Sequence, residues 1–335
     1  MKRLVTFLTF LLLLLSGCTP AGSADPKATR EFFSMDTVME VRVYDGSDPE
    51  SAAKAAQDEI YRLDRLFSVS NPNGEIAIAN ANGTVQLSED GVFLISQALQ
   101  LARETEGLFD ITLQPLIDCW GFYSDSLHIP DDTELDSLLA NAGSDHVSLD
   151  GSVLTLEPGV GLDLGAIAKG YASDRAAEAV RSGGTTSAML ILGGNVYAVG
   201  TKNGSPWTVA IQDPKTSGGY VGMIEVSDTA VVTSGTYQRF LEQDGQRYHH
   251  ILDPRTGRPA QSGLVSVTIV CESGMIADAL STARLVMGLE DAVNFWRQSQ
   301  YNFEAILVTE DDRVYITNGL ESVFRSNLPY EVMSR

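Results

Sequence analysis

Histidine and cysteine are scarce in this chain, with four histidines and three cysteines in 335 residues. Side chains that titrate near neutral pH are therefore few, and a cysteine-rich disulfide framework is excluded. Basic residues are also short: 23 Lys and Arg stand against 44 Asp and Glu, for a net charge of −21. The acidic excess is spread along the chain without a long block. A nucleic-acid binder needs a basic face to neutralise phosphates, so that class is excluded. Electrostatic binding to anionic membranes fails on the same ground. The apolar run near the start, Leu4 to Leu15, is too short to span a bilayer.

The residues flanking that run carry information. Lys2 and Arg3 precede it, and Leu15-Ser16-Gly17-Cys18 closes it. Leu, two small residues and Cys after a short apolar run resemble a bacterial lipobox. The expectation is a signal peptide over 1–18, lipidation at Cys18, and a lipid-anchored, extracytoplasmic place at the cell membrane. Residues 19–30 are small, polar and Pro-containing, and read as a tether. The folded domain is expected over 31–325. The other two cysteines, Cys119 and Cys271, could pair outside the cytoplasm, but each sits beside apolar residues and the two read rather as separate buried thiols. Two thiols alone are too few ligands for a metal site.

The chain is long enough for one large domain or two smaller ones, and no repeat or composition break divides it. Residues 32–45 carry a strand signal. A helix follows, with Ser47 as its cap, Pro49 in the first turn, and Ala53, Ala56, Ile60, Leu63 and Phe67 as its apolar stripe. Residues 71–83 read as turns around a short apolar segment, 88–106 as a helix, 107–122 as a strand and loop, and 132–141 as a short helix. A Gly-rich turn feeds a helix from about Ala166 to Gly183. Strands follow at 187–192, 207–211, 221–226 and 229–233, then a hairpin about Asp244-Gly245. A helix at 274–287 and strands at 303–309 and 313–317 complete the chain. Helices and strands mix without a regular βαβ repeat, so the fold class is α+β.

Four stretches could carry chemistry. In "SGMIADALSTARLVMG", Asp278 and Thr282 lie four apart on one helix face, turned away from the stripe of Ile276, Leu280, Ala283 and Met287. A carboxylate above a hydroxyl suits a hard cation such as Mg2+, and it equally suits a solvated polar face. In "DLGAIAKGYASD", a glycine precedes a helix start, with Lys169 one turn in. That makes an anion site or a plain helix start, and it is neither a Walker A loop nor a Gly-x-Gly-x-x-Gly turn. "LILGGN" and "VVTSG" are strand ends at which glycines admit a ligand or merely turn the chain. In "QRYHHIL", strand alternation puts His249 and His250 on opposite faces, so only one can serve a given cleft as a proton acceptor.

Taken in order, "SMDT", "FSVSNPNGEIAIAN", "GLFDIT…PLIDCWGF", "DLGAIAKGYASD", "LGGN", "TSGTYQRF", "HHILDPRTGRP" and "ADALSTA" resemble the bacterial FAD:protein FMN transferases, the ApbE-type flavin-trafficking lipoproteins. The likeness runs from about residue 33 to 320. It implies a single catalytic domain of two intertwined α/β lobes with FAD in the cleft between them. Asp278 and Thr282 would hold Mg2+, joined by the Ala166 carbonyl, with Ser281 as a further contributor. Met35, Leu108, Phe109, Asp110, Asp163, Lys169 and His250 would line the FAD site. His250 would take the proton of a Thr or Ser hydroxyl on an acceptor protein, a membrane-associated electron carrier, as FMN is transferred and AMP released. Two positions depart from the family's habit. Asp36 follows the early Met where Gly is frequent, and Ser70 falls where a Tyr often stacks on the flavin.

Three other readings compete. An FAD pyrophosphatase would use water as the nucleophile. A non-enzymatic FAD-binding lipoprotein would not need a general base. The family's older label, a thiamine-biosynthesis lipoprotein, fits an exported, anchored protein poorly.

Overall fold

The computed structural model describes residues 25–122, 128–243 and 246–335. The lipobox with Cys18, the first half of the tether, and the Asp244-Gly245 turn lie outside the described residues. The first strand already begins at Ala28, inside the segment expected to be a tether. Among the described residues no helix is long and apolar enough to cross a membrane.

One nine-stranded sheet organises the chain, and its strands lie side by side in sequence order. They are β1 (Ala28–Ser34), β2 (Thr37–Val43), β3 (Ser187–Leu192), β4 (Asn195–Gly200), β5 (Thr229–Gly235), β6 (Leu264–Cys271), β7 (Phe303–Thr309), β8 (Val314–Thr317) and β9 (Tyr330–Met333). Neighbours are antiparallel, except that β8 and β9 run parallel. Alternation gives each face its own core. Along β7, Phe303, Ala305 and Leu307 join the helix-side cluster, while Ile306 and Val308 face the other side. That second side is covered by a small sheet of Trp207–Gln212, Tyr220–Val226 and Phe324–Arg325. The result is a single α+β domain, as the mixed pattern of elements suggested.

The helices are α1 (Pro49–Phe67), α2 (Glu75–Asn82), α3 (Glu89–Glu104), α4 (Gln114–Trp120), α5 (Asp132–Leu139), α6 (Ala168–Ser182), α7 (Gly274–Met287) and α8 (Leu289–Gln298). The expected stripe of α1 is buried in full, but its cap is Asp48, which accepts from Ser51 N at 3.0 Å, rather than Ser47. Two helices stand where turns and a loop were expected. α2 is short and weakly amphipathic, so it gives little periodic signal. α4 carries Pro115 in its first turn and ends at Gly121 with φ 74°, a start and a stop that overrule the strand-like pattern. The expected strand over 32–45 is two strands. The chain turns back at Met35 and Asp36, which have φ values of 47° and 57°. Two left-handed residues between paired strands make the tight hairpin turn whose twist matches a sheet.

Candidate functional site

The site is built around the contact of α6 with α7. Gly170 and Gly274 let the two helices touch. A Cβ at Gly170 would collide with the Gly274 carbonyl, and one at Gly274 with the Ser173 hydroxyl. Asp174 on α6 caps α7, accepting from Gly274 N at 2.6 Å, Met275 N at 3.0 Å and Ser273 Oγ at 3.1 Å. Burial outweighs these bonds and pushes the Asp174 carboxyl up to about 6.

Asp278 sits where the helices meet. It is 4% exposed, so the polar face of α7 is not a solvated one. Its Oδ2 accepts from Gly170 N at 2.8 Å. In a regular helix that N–H would bond the Ala166 carbonyl four residues back. Among the described residues no backbone hydrogen bond replaces it, so the Ala166 oxygen keeps its acceptor capacity beside the carboxylate. Burial holds the Asp278 carboxyl above its ordinary range, and the Lys169 ammonium opposes that shift. Asn195, at the start of β4, faces Asp278, yet its buried amide nitrogen closes no hydrogen bond. Its acceptor is the Asp278 carboxylate, whose charged form it favours from just beyond full hydrogen-bond geometry. Thr282 lies one turn along α7, its hydroxyl 3.1 Å from Ser234 Oγ. Ser281 is fully buried and donates to Asp278 O at 2.8 Å, with Ser234 Oγ at 2.7 Å on its other side. Its hydroxyl is spent within the helix and β5.

Lys169 joins this wall to the rest. Its Nζ donates to Gly165 O at 3.0 Å, and its charge acts on Asp163, Asp278 and His250 together. Asp163 accepts from Gly165 N at 2.7 Å, and its own N–H donates to Ile111 O at 2.8 Å. That second bond ties the Gly-rich turn to the Leu108–Asp110 segment. Burial is the first cause of raised carboxyl pKa values at both Asp163 and Asp110. Asp110 is half satisfied, because Thr112 N and Oγ1 both donate to the same oxygen, at 2.8 and 2.7 Å.

His250 closes the other side. The strand ends at His249, so simple alternation does not place His250, which stands in the bend beyond it. His249 is structural, its Nε2 bonded to Ala260 O at 2.9 Å. His250 Nδ1 lies 3.1 Å from Arg239 O. A carbonyl can only accept, so Nδ1 carries the proton and Nε2 presents its lone pair. Burial, reinforced by Lys169, pushes the imidazole down to about 4, so the ring is neutral at physiological pH. Arg239 also donates from Nη2 to Asp36 O at 2.7 Å. One residue therefore links the imidazole to the Met35–Asp36 turn. From below, Asp64 of α1 accepts from Ser34 Oγ at 2.7 Å and Met35 N at 3.1 Å.

The structure thus gathers Ala166, Asp278, Thr282, Lys169, Asp163, His250 and the Met35 turn. Phe109 does not present a side chain to a cleft. It is 1% exposed in the helix-side core, and its N–H is taken by Thr105 Oγ1 at 3.1 Å. Leu108 is half buried and packs on the same cluster. Sequence reasoning missed Gly170, Asp174, Asn195, Ser234 and Arg239. Each acts through a partner more than forty positions away in the chain or through a backbone atom, which local patterns do not encode.

Residues 35–307 match the ApbE family. The FAD:protein FMN transferase of Vibrio cholerae is 33% identical over 313 residues, covering 90% of this chain and 92% of that protein. The protein of the same name from Treponema pallidum is 33% identical over 309 residues, 85% of each chain. The crystal structure of the ApbE protein from Thermotoga maritima superposes with a TM-score of 0.84 at 32% identity, covering 89% of this chain and 99% of that one.

Proposed function

Because the chain belongs to the ApbE family, we propose that it transfers FMN from FAD to a Thr or Ser hydroxyl of an acceptor protein and releases AMP. The observation that carries this reading is the diverted Gly170 N–H. It bonds Asp278 instead of Ala166, which leaves a carbonyl, a buried carboxylate and the Thr282 hydroxyl together. Oxygen donors of this kind suit Mg2+, and the ion would neutralise charge on the leaving phosphate. Ser281 would contribute by holding the turn of α7 that bears Asp278 and Thr282.

The rest falls to the protein's own groups. Lys169, now on the Gly165 carbonyl, and the Asn195 amide beside Asp278 would meet phosphate oxygens. Met35, Leu108 and the Asp110 and Asp163 carboxyls would border the flavin nucleotide. The acceptor oxygen attacks the FMN-side phosphorus, a new P–O bond forms, and AMP departs with the bridging oxygen. The hydroxyl proton passes to His250 Nε2, the nitrogen that its Arg239 bond leaves open. The low imidazole pKa would rise beside the negative pyrophosphate, which improves it as a base. We further propose that lipidation at Cys18 anchors the protein outside the cytoplasm, within reach of a membrane-associated electron-transfer protein as acceptor. Mass spectrometry of the processed N-terminus tests the anchor, and an unacylated Cys18 would refute it.

The decisive experiment incubates the protein with FAD, Mg2+ and acceptor proteins and follows acceptor mass and AMP. An FMN adduct with equimolar AMP supports the transfer. AMP and free FMN without adduct would make the chain a pyrophosphatase, and binding without turnover would make it a store. Asp278→Asn keeps an acceptor for Gly170 N–H but removes the charge. It should abolish Mg2+-dependent transfer without lowering Tm; full activity would remove Asp278 as a ligand.

A further inference from the structure

We propose that Cys119, His128 and Glu134 form a zinc site, separate from the residues of flavin transfer. The Cys119 thiol, a ring nitrogen of His128 and a carboxylate oxygen of Glu134 all lie within 4.8 Å of one another. His128 Nε2 stands 3.0 and 3.1 Å from the two Glu134 oxygens. Tetrahedral zinc with sulfur, nitrogen and oxygen ligands sets its donors roughly 3.3–3.8 Å apart, so closure requires a shift of about 1 Å. The side chains that must move are the exposed ones, His128 and Glu134.

Their backbones are already in place. Trp120, next to Cys119, is fully buried and donates from Nε1 to Gly257 O at 2.8 Å, which fixes α4. His128 N donates to Trp120 O at 3.4 Å, bringing the chain back onto α4. Glu134 belongs to the capping box of α5. Its Oε2 accepts from Asp131 N at 2.9 Å, and its Oε1 is left with the imidazole alone. Asp131 and Glu134 surround the thiol with negative charge, which favours an arriving cation.

The donor types select the ion. Exposed carboxylates without an ion are common on an acidic surface, but a thiol and an imidazole converging on one is a different set. Among the described residues it is the only group of three His, Cys, Asp or Glu donors at such spacing. Thiolate and imidazole suit zinc and are poor ligands for the hard Mg2+. Binding requires the Cys119 thiol to lose its proton, so each zinc ion bound releases one proton to solvent. The thiolate and the Glu134 carboxylate then balance the zinc charge, and the fourth position stays open to water. The ion would join α4 to α5 beside the small apolar cluster that includes Leu116, Trp120 and Leu135.

The test reads metal, not turnover, so it stands or falls independently of the flavin chemistry. The reduced, chelator-stripped protein is titrated with Co2+ and then with Zn2+. We expect one equivalent of Co2+ with a thiolate-to-cobalt charge-transfer band, displaced by Zn2+ at micromolar concentration and not by excess Mg2+. Cys119→Ser should abolish the band, while His128→Ala and Glu134→Gln should each weaken binding at least tenfold. Far-ultraviolet circular dichroism verifies that each variant is folded. Absence of the band, its persistence in Cys119→Ser, or unchanged affinity in the other two variants would overturn the proposal.

Discussion

The helix wall around Asp278 is closed and is made by backbone. Glycines set the approach of α6 to α7, an N–H holds the carboxylate, and Ser281 is fully buried. The hairpin wall buries the His250 ring but opens at its far edge, and it is held by long-range ties. Arg239 spans from the imidazole to the Met35–Asp36 turn at the edge of the sheet, where Asp36 is exposed and Phe33 and Val38 lie uncovered at 64% and 59% exposure. A wall of packed backbone tolerates no added atom. A wall of side-chain ties can lose one member and keep its fold. An added atom in the first should therefore unfold the protein, whereas loss of a tie in the second should cost rate or affinity and keep the fold.

Gly170→Ala is the sharpest break on the helix side. The new methyl would meet the Gly274 carbonyl and the Asp278 side chain at distances that real Cβ atoms do not adopt. Overpacking in a tight core costs about 1–3 kcal/mol and occasionally more, and here rigid backbone faces the intruder. We expect a large fall in Tm and loss of transfer together. A variant of unchanged Tm would show that the helices can part, and the wall would not be rigid.

On the hairpin side, His250→Asn should preserve fold and FAD binding, since the Asn amide can replace Nδ1–H toward Arg239 O. Transfer should slow by roughly 10²- to 10⁴-fold, the usual contribution of a positioned base. Stability gives a second readout. The folded ring has a pKa of about 4, against 6.5 for the ordinary side chain. Between those values the unfolded chain binds the proton and the folded one does not. Stability is therefore full above about pH 6.5 and declines as pH falls toward 4, by up to roughly 3 kcal/mol. His250→Asn should flatten that part of the pH–stability curve; an unchanged slope would mean that the ring is not held neutral.

Arg239→Ala should have a smaller effect. It removes the guanidinium tie to Asp36 O but leaves the carbonyl that orients His250. We expect about a tenfold rise in KM for FAD, with kcat changed less, and partial rescue by Arg239→Lys. A kcat defect with normal KM would show that the tie serves the base rather than the turn.

Legibility in the sequence divides along the same line. The apolar stripes of α1 and α7 and the β-rich runs specified the helix-side core, because burial imposes their periodicity. The diverted Gly170 N–H was not legible, because a glycine within a helix looks the same whether its hydrogen goes to residue 166 or to residue 278. Asp278 and Thr282 were visible as a shared face, but spacing could not say that the face is buried. Strand alternation separated His249 from His250 without locating the strand's end, which a bend decides. α4 was hidden because its first-turn proline and terminal glycine sit in a run that also reads as strand.

The smallest effect is expected at Asp36, and it probes the open wall most directly. Asp36 holds φ 57° in a two-residue turn, a conformation that glycine adopts freely and other residues adopt at a cost. Its backbone carbonyl receives the Arg239 bond, and its side chain is exposed. Asp36→Gly removes the cost and keeps the carbonyl, so stability should rise by about 0.5–1 kcal/mol, less whatever backbone entropy glycine adds to the unfolded chain. It also removes a negative charge that acts on Asp163, so the Asp163 carboxyl should titrate slightly lower. If the hairpin is held by its ties, transfer should change less than twofold. A clear gain in Tm with a fall in rate would instead mean that the strained Asp36 itself sets the position of Met35, and the open wall would depend on backbone as much as the closed one.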